Sequence, residues 1–280
     1  MAIKVVQNGI GKMGTAVLKR LLNEEDIEVI AIIDPNPSIT EGVELAREYG
    51  IRIEDSIDRL RIEDSITSSE NVFVDFSSPE GFKTACSYAA ERGINIISGT
   101  TPVPKEYEEV VRESIIESGV RGVLAPNFSP EVNKFFKQMK YVGQTTDPKA
   151  SVSIHEIHRY EKMKTAGTAK TIAETLCQTM RKKGYILLRE GKAFNPLGSE
   201  IAMPKKFSED WVQVSCERFA DEPGTHIVRT GTERDYIEYR VRATRDSTTY
   251  GAVKAIRFAS NPDIRPGVYD FMDVLDTFKV

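Results

Sequence analysis

The sequence predicts an α/β fold, with an N-terminal parallel-sheet domain followed by a C-terminal α+β domain that has an open mixed sheet. Over the first 128 residues, short apolar runs rich in β-branched residues alternate with helical patterns. This alternation is typical of a parallel sheet covered on both faces. After Phe128 the rhythm ends, and segments that alternate apolar and polar residues follow, as in strands with one solvated face.

We expect five strands in the first domain. They are IKVVQ (3–7), IEVIAIID (27–34), NVFVDF (71–76), INIISG (94–99) and RGVLAPNF (121–128). Helical patterns such as AVLKRLLNE and FKTACSYAAERG lie between them. Because strands and helices alternate along the chain, the sheet should be parallel.

The second domain begins with a helix from Ser129 through VNKFFKQMKYVG, followed by the strand SVSIHEIHR and a helix led by Gly167. The segments WVQVSCERF, HIVRTGT and YIEYRVRAT indicate a mostly antiparallel sheet. The tail segments GAVKAIRFA and GVYDFMDVL are expected to be helical and to pack on the first domain. We therefore place the domains at residues 1–128 plus about 246–280, and at 129–245.

The composition argues against several classes of function. The 280 residues carry a net charge of −4 with both signs spread along the chain, so no surface for nucleic acid is expected. No apolar run reaches the roughly 20 residues that cross a bilayer, and MAIKVVQNG lacks the pattern of a signal peptide. Three cysteines without C-x-x-C spacing predict neither a disulfide framework nor a cysteine zinc site. We expect a cytoplasmic protein that binds no membrane.

The stretch NGIGKMG follows the first strand and matches the pattern G-x-G-x-x-G at Gly9, Gly11 and Gly14. The first glycine permits a tight turn, the second lets the backbone approach a pyrophosphate, and the third allows close packing of helix on strand. A tight turn without a ligand is the alternative, but the strand, the helix and a later acidic residue are all present. The stretch predicts a Rossmann-type domain that binds NAD(P)H, with Lys12 and Met13 inside the loop.

Asp34 ends the second strand and is expected to accept hydrogen bonds from the adenosine ribose. A Pro-Asn-Pro turn follows it, without an arginine or lysine to bind a 2′-phosphate. The cofactor is therefore expected to be NADH or NADPH, with NADH slightly favoured, although Lys12 supplies some positive charge. A solvated turn aspartate is the alternative for Asp34.

Small and polar residues follow the third, fourth and fifth strands, in DFSSPEG, SGTT and APNFS. The carboxyl ends of strands are where open α/β sheets bind their ligands. Each stretch alone is ordinary turn chemistry, but three at matching strand ends favour a nicotinamide crevice. The candidate residues are Phe76, Ser77, Gly99, Thr100, Thr101, Ala125, Asn127 and Phe128.

The stretch HEIHRYEKMKTAGTAKTIAE (155–174) holds two of the three histidines. His158 and Lys162 are four residues apart, which brings them together if the chain turns helically between them. Gly167 and Thr168 open a helix whose N–H groups attract a carboxylate and which Thr168 is expected to cap. The stretch offers a proton donor, a cation and a carboxylate cradle, against the alternative of ordinary surface or core histidines. No H-E-x-x-H motif is present, so no metal site is predicted.

These motifs, in this order, resemble those of the 4-hydroxy-tetrahydrodipicolinate reductase (dihydrodipicolinate reductase) family. The resemblance runs from GIGKMG and DFSSPEG through APNFSPEVN and HEIHRYEKMKTAGTA to ERDYIEYRVRATRDSTTYGAVKAIRF and GVYDFMDVL. It implies a dinucleotide-binding domain over 1–128 plus about 246–280, and a substrate-binding and oligomerisation domain over 129–245. It also implies an enzyme of lysine and diaminopimelate biosynthesis that works as a homotetramer.

The resemblance implies reduction of a small anionic substrate, a cyclic unsaturated imine dicarboxylate, with NADH or NADPH. The reaction converts 4-hydroxy-tetrahydrodipicolinate to tetrahydrodipicolinate. His158 becomes the general acid, and Lys162 becomes the cation that holds a substrate carboxylate and polarises the ring. Gly167 and Thr168 match the family's carboxylate site, and Arg245 matches a family arginine that is counted with the cofactor residues.

The chain departs from the family within the same stretch. Arg159 stands where the family has the second of two histidines, and Lys164–Ala166 replaces a longer Asp-x-Pro-Ser segment. Because both changes add positive charge, Arg159 is taken as a substrate-binding residue. One alternative is a paralogous reductase of another anionic cyclic imine or imino acid. The other is a non-catalytic NAD(P)-sensing protein, which would have no need of a proton donor at His158.

Overall fold

The computed structural model describes residues 2–37, 41–59, 70–160, 167–204, 207–232 and 234–278. The chain divides into two compact units. The first combines Met1–Pro130 with Arg245–Val280, and the second is Glu131–Thr244. The second unit is thus inserted in the sequence of the first. The assignment of dinucleotide binding to the first unit, and of substrate binding and oligomerisation to the second, stays a prediction.

The described strands of the first unit form a seven-stranded sheet, and its pairings are parallel. The strands are β1 (Ile3–Asn8), β2 (Ile27–Ile33), β3 (Arg52–Glu54), β4 (Val72–Asp75), β5 (Asn95–Ser98), β6 (Arg121–Leu124) and β14 (Gly267–Tyr269). Their order is β14-β6-β5-β4-β1-β2-β3. Along the chain, β2 and β3 therefore extend the sheet on one side of β1. The strands β4, β5, β6 and β14 then extend it on the other side. This arrangement confirms the predicted Rossmann-type parallel sheet.

Helices cover both faces of the first sheet. They are α1 (Lys12–Leu21), α2 (Glu41–Glu48), α3 (Pro79–Gly81), α4 (Ser87–Glu91), α5 (Lys105–Ser118), α9 (Arg245–Ser260) and α10 (Phe271–Thr277), with a 3₁₀ turn at Ile57–Arg59 and a π-helix at Phe82–Cys86. Successive strand residues point to opposite faces. Val5 and Val74 accordingly pack in the cluster of α1 and α9, whereas Val6 and Phe73 pack in that of α5. Burial on both faces explains the nearly continuous apolar strands.

The second unit has a mixed sheet of order β10-β9-β8-β11-β7-β12-β13. Its elements are α6 (Pro130–Thr145), β7 (Ser151–His158), α7 (Gly167–Thr179), β8 (Gly184–Arg189), β9 (Lys192–Phe194), β10 (Glu200–Ile201), α8 (Phe207–Asp210), β11 (Trp211–Arg218), β12 (Thr225–Gly231) and β13 (Tyr236–Arg242). One face of this sheet is apolar and packs with α6 and α7. Neither these helices nor the other described ones are long and apolar enough to span a bilayer.

One expectation about these elements is wrong. The sequence predicts a helix over GVYDFMDVL, but its first residues form β14 beside β6. The helix α10 starts only at Phe271, because Asp270 and Asp273 form a capping box there. The sheet of the second unit is mostly antiparallel, as expected from WVQVSCERF, HIVRTGT and YIEYRVRAT: its described strands make four antiparallel pairings and two parallel ones, in which β11 runs parallel to both β7 and β8. The helices α7 and α8 return the chain before β8 and β11, which permits parallel pairing.

Candidate functional site

The glycine-rich loop joins β1 to α1, and close backbone contacts fix two of its glycines. A Cβ atom at Gly9 would lie 2.5 Å from the carbonyl oxygen of Phe76, and one at Gly14 would overlap the carbonyl of Gly9. Gly9 also has a positive φ of 91°, which residues with a side chain rarely adopt. Gln7, which was not predicted, holds the loop by donating from its buried amide to the carbonyls of Gly9 and Gly14, both at 2.9 Å.

Gly11 differs from the other two, because open space lies where its side chain would be. It is the N-cap of α1 and has no side chain to bond the helix, whose first turn holds Lys12 and Met13 and no acidic residue. The N–H groups of a first helical turn have no intrahelical acceptor and carry the positive end of the helix dipole. The loop therefore fits the pyrophosphate of a dinucleotide.

Asp34 braces the same loop from the end of β2. Its Oδ2 accepts a hydrogen bond from the backbone N–H of Ile10 at 2.9 Å, and its Oδ1 accepts one from that of Asn36 at 3.0 Å. An ionised carboxylate has about four acceptor positions, so Asp34 retains capacity for ribose hydroxyls. Its predicted contact with the ribose stays a prediction.

The loops predicted to line the nicotinamide are joined by Asp75, a fully buried residue that was not predicted as part of the site. Its Oδ1 accepts from Asn8 Nδ2 at 2.8 Å and from Ser77 Oγ at 2.5 Å. Its Oδ2 accepts from the hydroxyls of Ser98 and Thr100, both at 2.6 Å. One carboxyl group therefore ties together the carboxyl ends of β1, β4 and β5.

The environment of Asp75 changes its acidity. Burial raises the pKa of the Asp75 carboxyl, while the four hydrogen bonds act in the opposite direction. Burial, and secondly the charge of Asp75, also raises the pKa of the Cys86 thiol. A pattern in the sequence could have identified Asp75, since it is an acidic residue at the end of an apolar strand. Acidic residues are almost never fully buried unless they are paired.

Phe76, Gly99 and Phe128 pack together next to this network. A Cβ atom at Gly99 would overlap the ring of Phe76, and the ring centroids of Phe76 and Phe128 are 5.9 Å apart. The backbone N–H of Ala125 donates to the carbonyl of Ser98 at 3.0 Å. The structure thus brings the glycine-rich loop together with predicted residues that follow β4, β5 and β6.

Three further candidates for cofactor binding lie outside the described hydrogen-bond network of Asp75. The side-chain oxygen of Asn127 accepts from the backbone N–H of Ser129 at 2.7 Å, and Thr101 is exposed. Arg245 is the first residue of α9 and lines an open cavity beside α1 together with Lys19. Their predicted roles stay predictions.

His158 is the last residue of β7. Its Nδ1 accepts a hydrogen bond from the backbone N–H of Arg159 at 3.0 Å, so the proton of a neutral ring is assigned to Nε2. Arg218 lies directly opposite on β11. A Cβ atom at Gly224 would lie 3.6 Å from His158 Nε2, so Gly224 borders the ring at ordinary van der Waals distance.

Glu156 and Arg218 form an ion pair close to His158, and neither was predicted. The carboxylate of Glu156 is fully buried, and Arg218 Nη1 lies 3.2 Å from its Oε1. Glu156 follows Val152 and Ile154 on the apolar face of β7. The sequence pattern could have indicated this pair, because Glu156 is a charged residue at an inward position of an alternating strand.

The remaining part of the predicted substrate site is incomplete in this structure, since Lys162 and Lys164–Ala166 lie outside the described residues. Gly167 and Thr168 are the first two residues of α7. The predicted cap at Thr168 is therefore wrong, because Thr168 lies inside the helix. The first turn of α7 holds no acidic residue, and its N–H groups fit a carboxylate. Within the described ranges, no cluster of His, Cys, Asp and Glu could hold a metal ion.

Comparison with known proteins gives consistent matches along the chain. The family model "Dihydrodipicolinate reductase, N-terminus" matches residues 3–128, and "Dihydrodipicolinate reductase, C-terminus" matches 131–275. A 4-hydroxy-tetrahydrodipicolinate reductase of Methanothermobacter thermautotrophicus is 28% identical over 278 residues, covering 96% of this chain and 97% of its own. That of Methanosarcina barkeri is 28% identical over 274 residues, with the same coverage.

Solved structures show the same fold. A dipicolinate-bound dihydrodipicolinate reductase from Paenisporosarcina sp. TG-14 has a TM-score of 0.71 at 21% identity, covering 98% of this chain and 99% of its own. GenD2 of gentamicin A biosynthesis, in complex with NAD, has a TM-score of 0.60 at 14% identity, covering 98% and 90%.

Replacing Asp75 by asparagine tests the cost of burying its charge. Because the pKa of Asp75 is raised on folding, the folded chain binds this proton more readily than the unfolded chain. Asp75 therefore contributes most stability below its unfolded pKa of about 3.9 and loses that contribution as the pH rises through the folded pKa. We expect the stability of the wild type relative to Asp75→Asn to increase as the pH is lowered from about 7 towards about 4.

Urea unfolding followed by circular dichroism over that pH range measures the difference. The matched control is Asp263→Asn, which replaces an exposed aspartate of the same unit and should follow the wild type at every pH. A stability difference between the wild type and Asp75→Asn that is independent of pH would contradict the raised pKa.

Proposed function

The chain belongs to the dihydrodipicolinate reductase family, and we propose that it reduces 4-hydroxy-tetrahydrodipicolinate to tetrahydrodipicolinate with NADH or NADPH. The observation that carries this proposal is the match of both family domains to one chain, over 3–128 and 131–275. The reaction belongs to lysine and diaminopimelate biosynthesis. It replaces a ring hydroxyl by hydrogen, so one hydride and one proton enter and one water leaves.

The bound dinucleotide supplies the hydride, and residues of the first unit fit it. The N–H groups of α1 beyond Gly11 bind the pyrophosphate, and Asp34 accepts bonds from the ribose hydroxyls. The loops around Phe76 and Thr100, held by Asp75, line the position of the nicotinamide. The open backbone at Gly11 and the remaining acceptor capacity of Asp34 support these roles.

His158 supplies the proton in this proposal. A histidine that acts as an acid must first carry hydrogen on both ring nitrogens. The N–H of Arg159 donates to Nδ1 of His158, so this hydrogen bond must be released when the imidazolium forms. Activity should therefore fall as the pH rises, because fewer molecules hold the acid form.

The substrate carries two carboxylates, and a cation and a helix start fit them. By family resemblance, Lys162 binds one carboxylate and polarises the ring. The N–H groups of Gly167 and Thr168 bind the other at the start of α7, and Arg159 is a further cation of the same stretch of sequence. A dipicolinate-bound relative supports a dicarboxylate as the class of substrate.

The function is tested by a steady-state assay with the product of dihydrodipicolinate synthase as substrate. We expect NADH and NADPH to be oxidised only when that product is present, with a somewhat higher kcat/KM for NADH, because Asp34 repels a 2′-phosphate. The absorbance of the reduced nicotinamide gives both rates. If the chain binds the dinucleotide but does not turn over this substrate, the proposal is wrong.

Arg159 supports one alternative substrate class. It adds a cation where the family has a histidine, as does Lys164 in the shortened segment. A paralogous reductase of another anionic cyclic imine or imino acid would need such charges. The same assay decides, because such an enzyme would oxidise NADH with another cyclic imine and not with the synthase product. A sensor without activity would oxidise it with neither.

A homotetramer is part of the proposal. The edge strand β13 exposes Tyr236 and Ile237, which are 65% and 59% accessible, and large exposed apolar side chains on an edge strand favour association. Light scattering should give a mass four times that of the chain. The cytoplasmic location expected from the sequence stays a prediction.

The role of His158 predicts a specific kinetic defect. His158→Gln should lower kcat by about 10²–10⁴, because general acid catalysis contributes factors of this size, and it should leave the affinity for NADH unchanged. Steady-state kinetics and fluorescence titration with NADH measure the two effects.

His155→Gln is the matched control. His155 lies on the same strand, but its Nδ1 is 2.8 Å from Ser215 Oγ and its Nε2 is 3.0 Å from Glu217 Oε2. These contacts give it a structural role, so this variant should keep its kcat. If His158→Gln keeps the wild-type kcat as well, His158 is not the acid.

A further inference from the structure

Asp75 occupies the place in the first sheet where the strand order reverses. It ends β4, and its registered partner on the adjacent strand is Asn8, the last residue of β1. In open α/β sheets, ligands bind in the crevice outside the carboxyl ends of the strands at such a reversal. The Asn8–Asp75 pair therefore forms the floor of the crevice in which the dinucleotide is expected to bind.

The hydrogen bonds around Asp75 fit an ionised carboxylate. Thr100 Oγ1 accepts from the backbone N–H of Ser77 at 2.9 Å, and Ser98 Oγ accepts from that of Thr100 at 3.3 Å. Each of these hydroxyls thus accepts from a backbone N–H and donates its own hydrogen to Oδ2 of Asp75. The amide nitrogen of Asn8 can only donate. Four donors around two oxygens fill the acceptor positions of an ionised carboxylate.

The charge of Asp75 is not neutralised by these contacts. Its four donors are one amide and three hydroxyls, all of them uncharged. No cation within the described part of the chain contributes to the pKa of the carboxyl. Since the charge is buried, it is screened less by water and salt than a surface charge. The floor of the crevice therefore carries a fixed negative charge.

The nicotinamide ring changes charge during hydride transfer, since it is neutral when reduced and positive when oxidised. We propose that Asp75 is a positioning residue whose buried negative charge makes the crevice bind the oxidised dinucleotide in preference to the reduced one. The proposal rests on the proposed function, because it assumes that this crevice holds the nicotinamide.

Such a preference for the oxidised dinucleotide also affects the hydride transfer, because binding and reduction potential are thermodynamically linked. A site that binds the product form of a cofactor more tightly than the substrate form makes the bound substrate form a stronger donor. Asp75 would thus promote hydride donation without touching the dinucleotide. It acts through its charge and through Ser77 and Thr100, which belong to the loops that it anchors.

The test compares the affinities for NAD⁺ and NADH, measured by calorimetry without substrate, in the wild type and in Asp75→Asn. Asparagine keeps the shape of the side chain and the two hydrogen bonds at one oxygen, replaces the other oxygen by a donor, and removes the charge. We expect the ratio of Kd for NAD⁺ to Kd for NADH to rise on the order of tenfold in Asp75→Asn, mainly through weaker NAD⁺ binding.

Ser98→Ala is the matched control, because it removes one hydrogen bond from the same network and keeps the charge. A purely structural role for the network would weaken both dinucleotides equally in both variants. The proposal therefore requires a changed ratio in Asp75→Asn and an unchanged ratio in Ser98→Ala. An unchanged ratio in Asp75→Asn overturns it.

A measurement on the wild type covers the case in which Asp75→Asn does not fold. The carboxyl carbon of Asp75, labelled with ¹³C, should report an ionised group by NMR at about pH 7, and a protonated group there overturns the proposal. Failure of the wild type to bind either dinucleotide overturns the proposed function itself. Binding of both, with catalysis but no charge effect at Asp75, overturns only this inference.

Discussion

A carboxylate inside a protein is stable only when donors replace the water that it has lost, and this constraint organises the first unit. Burial of an unpaired charge costs several kcal/mol, whereas each hydrogen bond to a charged group returns about 1.5–3 kcal/mol. The donors of Asp75 come from three strand ends: Asn8, Ser77, and Ser98 with Thr100. The conformation of the loops around the proposed dinucleotide site is therefore tied to the solvation of one group.

The second unit uses a related construction. Its strand β7, which lies between β11 and β12, carries apolar residues inward and then, at its carboxyl end, the buried Glu156 paired with Arg218. His158 follows two residues later on the same strand. In both units a charge is thus held at the end of an apolar strand, next to the residues proposed to act on the cofactor or the substrate. In the first unit, the charge also holds the loops that follow β4 and β5, through Ser77 and Thr100.

Patterns within one segment could be predicted from the sequence, and contacts between segments could not. The glycine loop, Asp34 and the apolar strands are local features, and the parallel sheet follows from their alternation. The role of Asp75 depends on β1 and β5 lying on either side of β4, and the pairing of Glu156 with Arg218 depends on strand register. The strand β14 could not be predicted either. It is only three residues long, and its residues fit the helical pattern of α10, which follows directly.

The position of β14 also affects how the chain can fold during synthesis. This strand and the helices α9 and α10 belong to the first unit but are made last, after the inserted second unit. The N-terminal strands must therefore wait, with the edge of β6 unpaired, until the C-terminal residues leave the ribosome. Long-range pairing of this kind slows folding and exposes strand edges to association. We expect the contiguous second unit to be able to complete its contacts earlier.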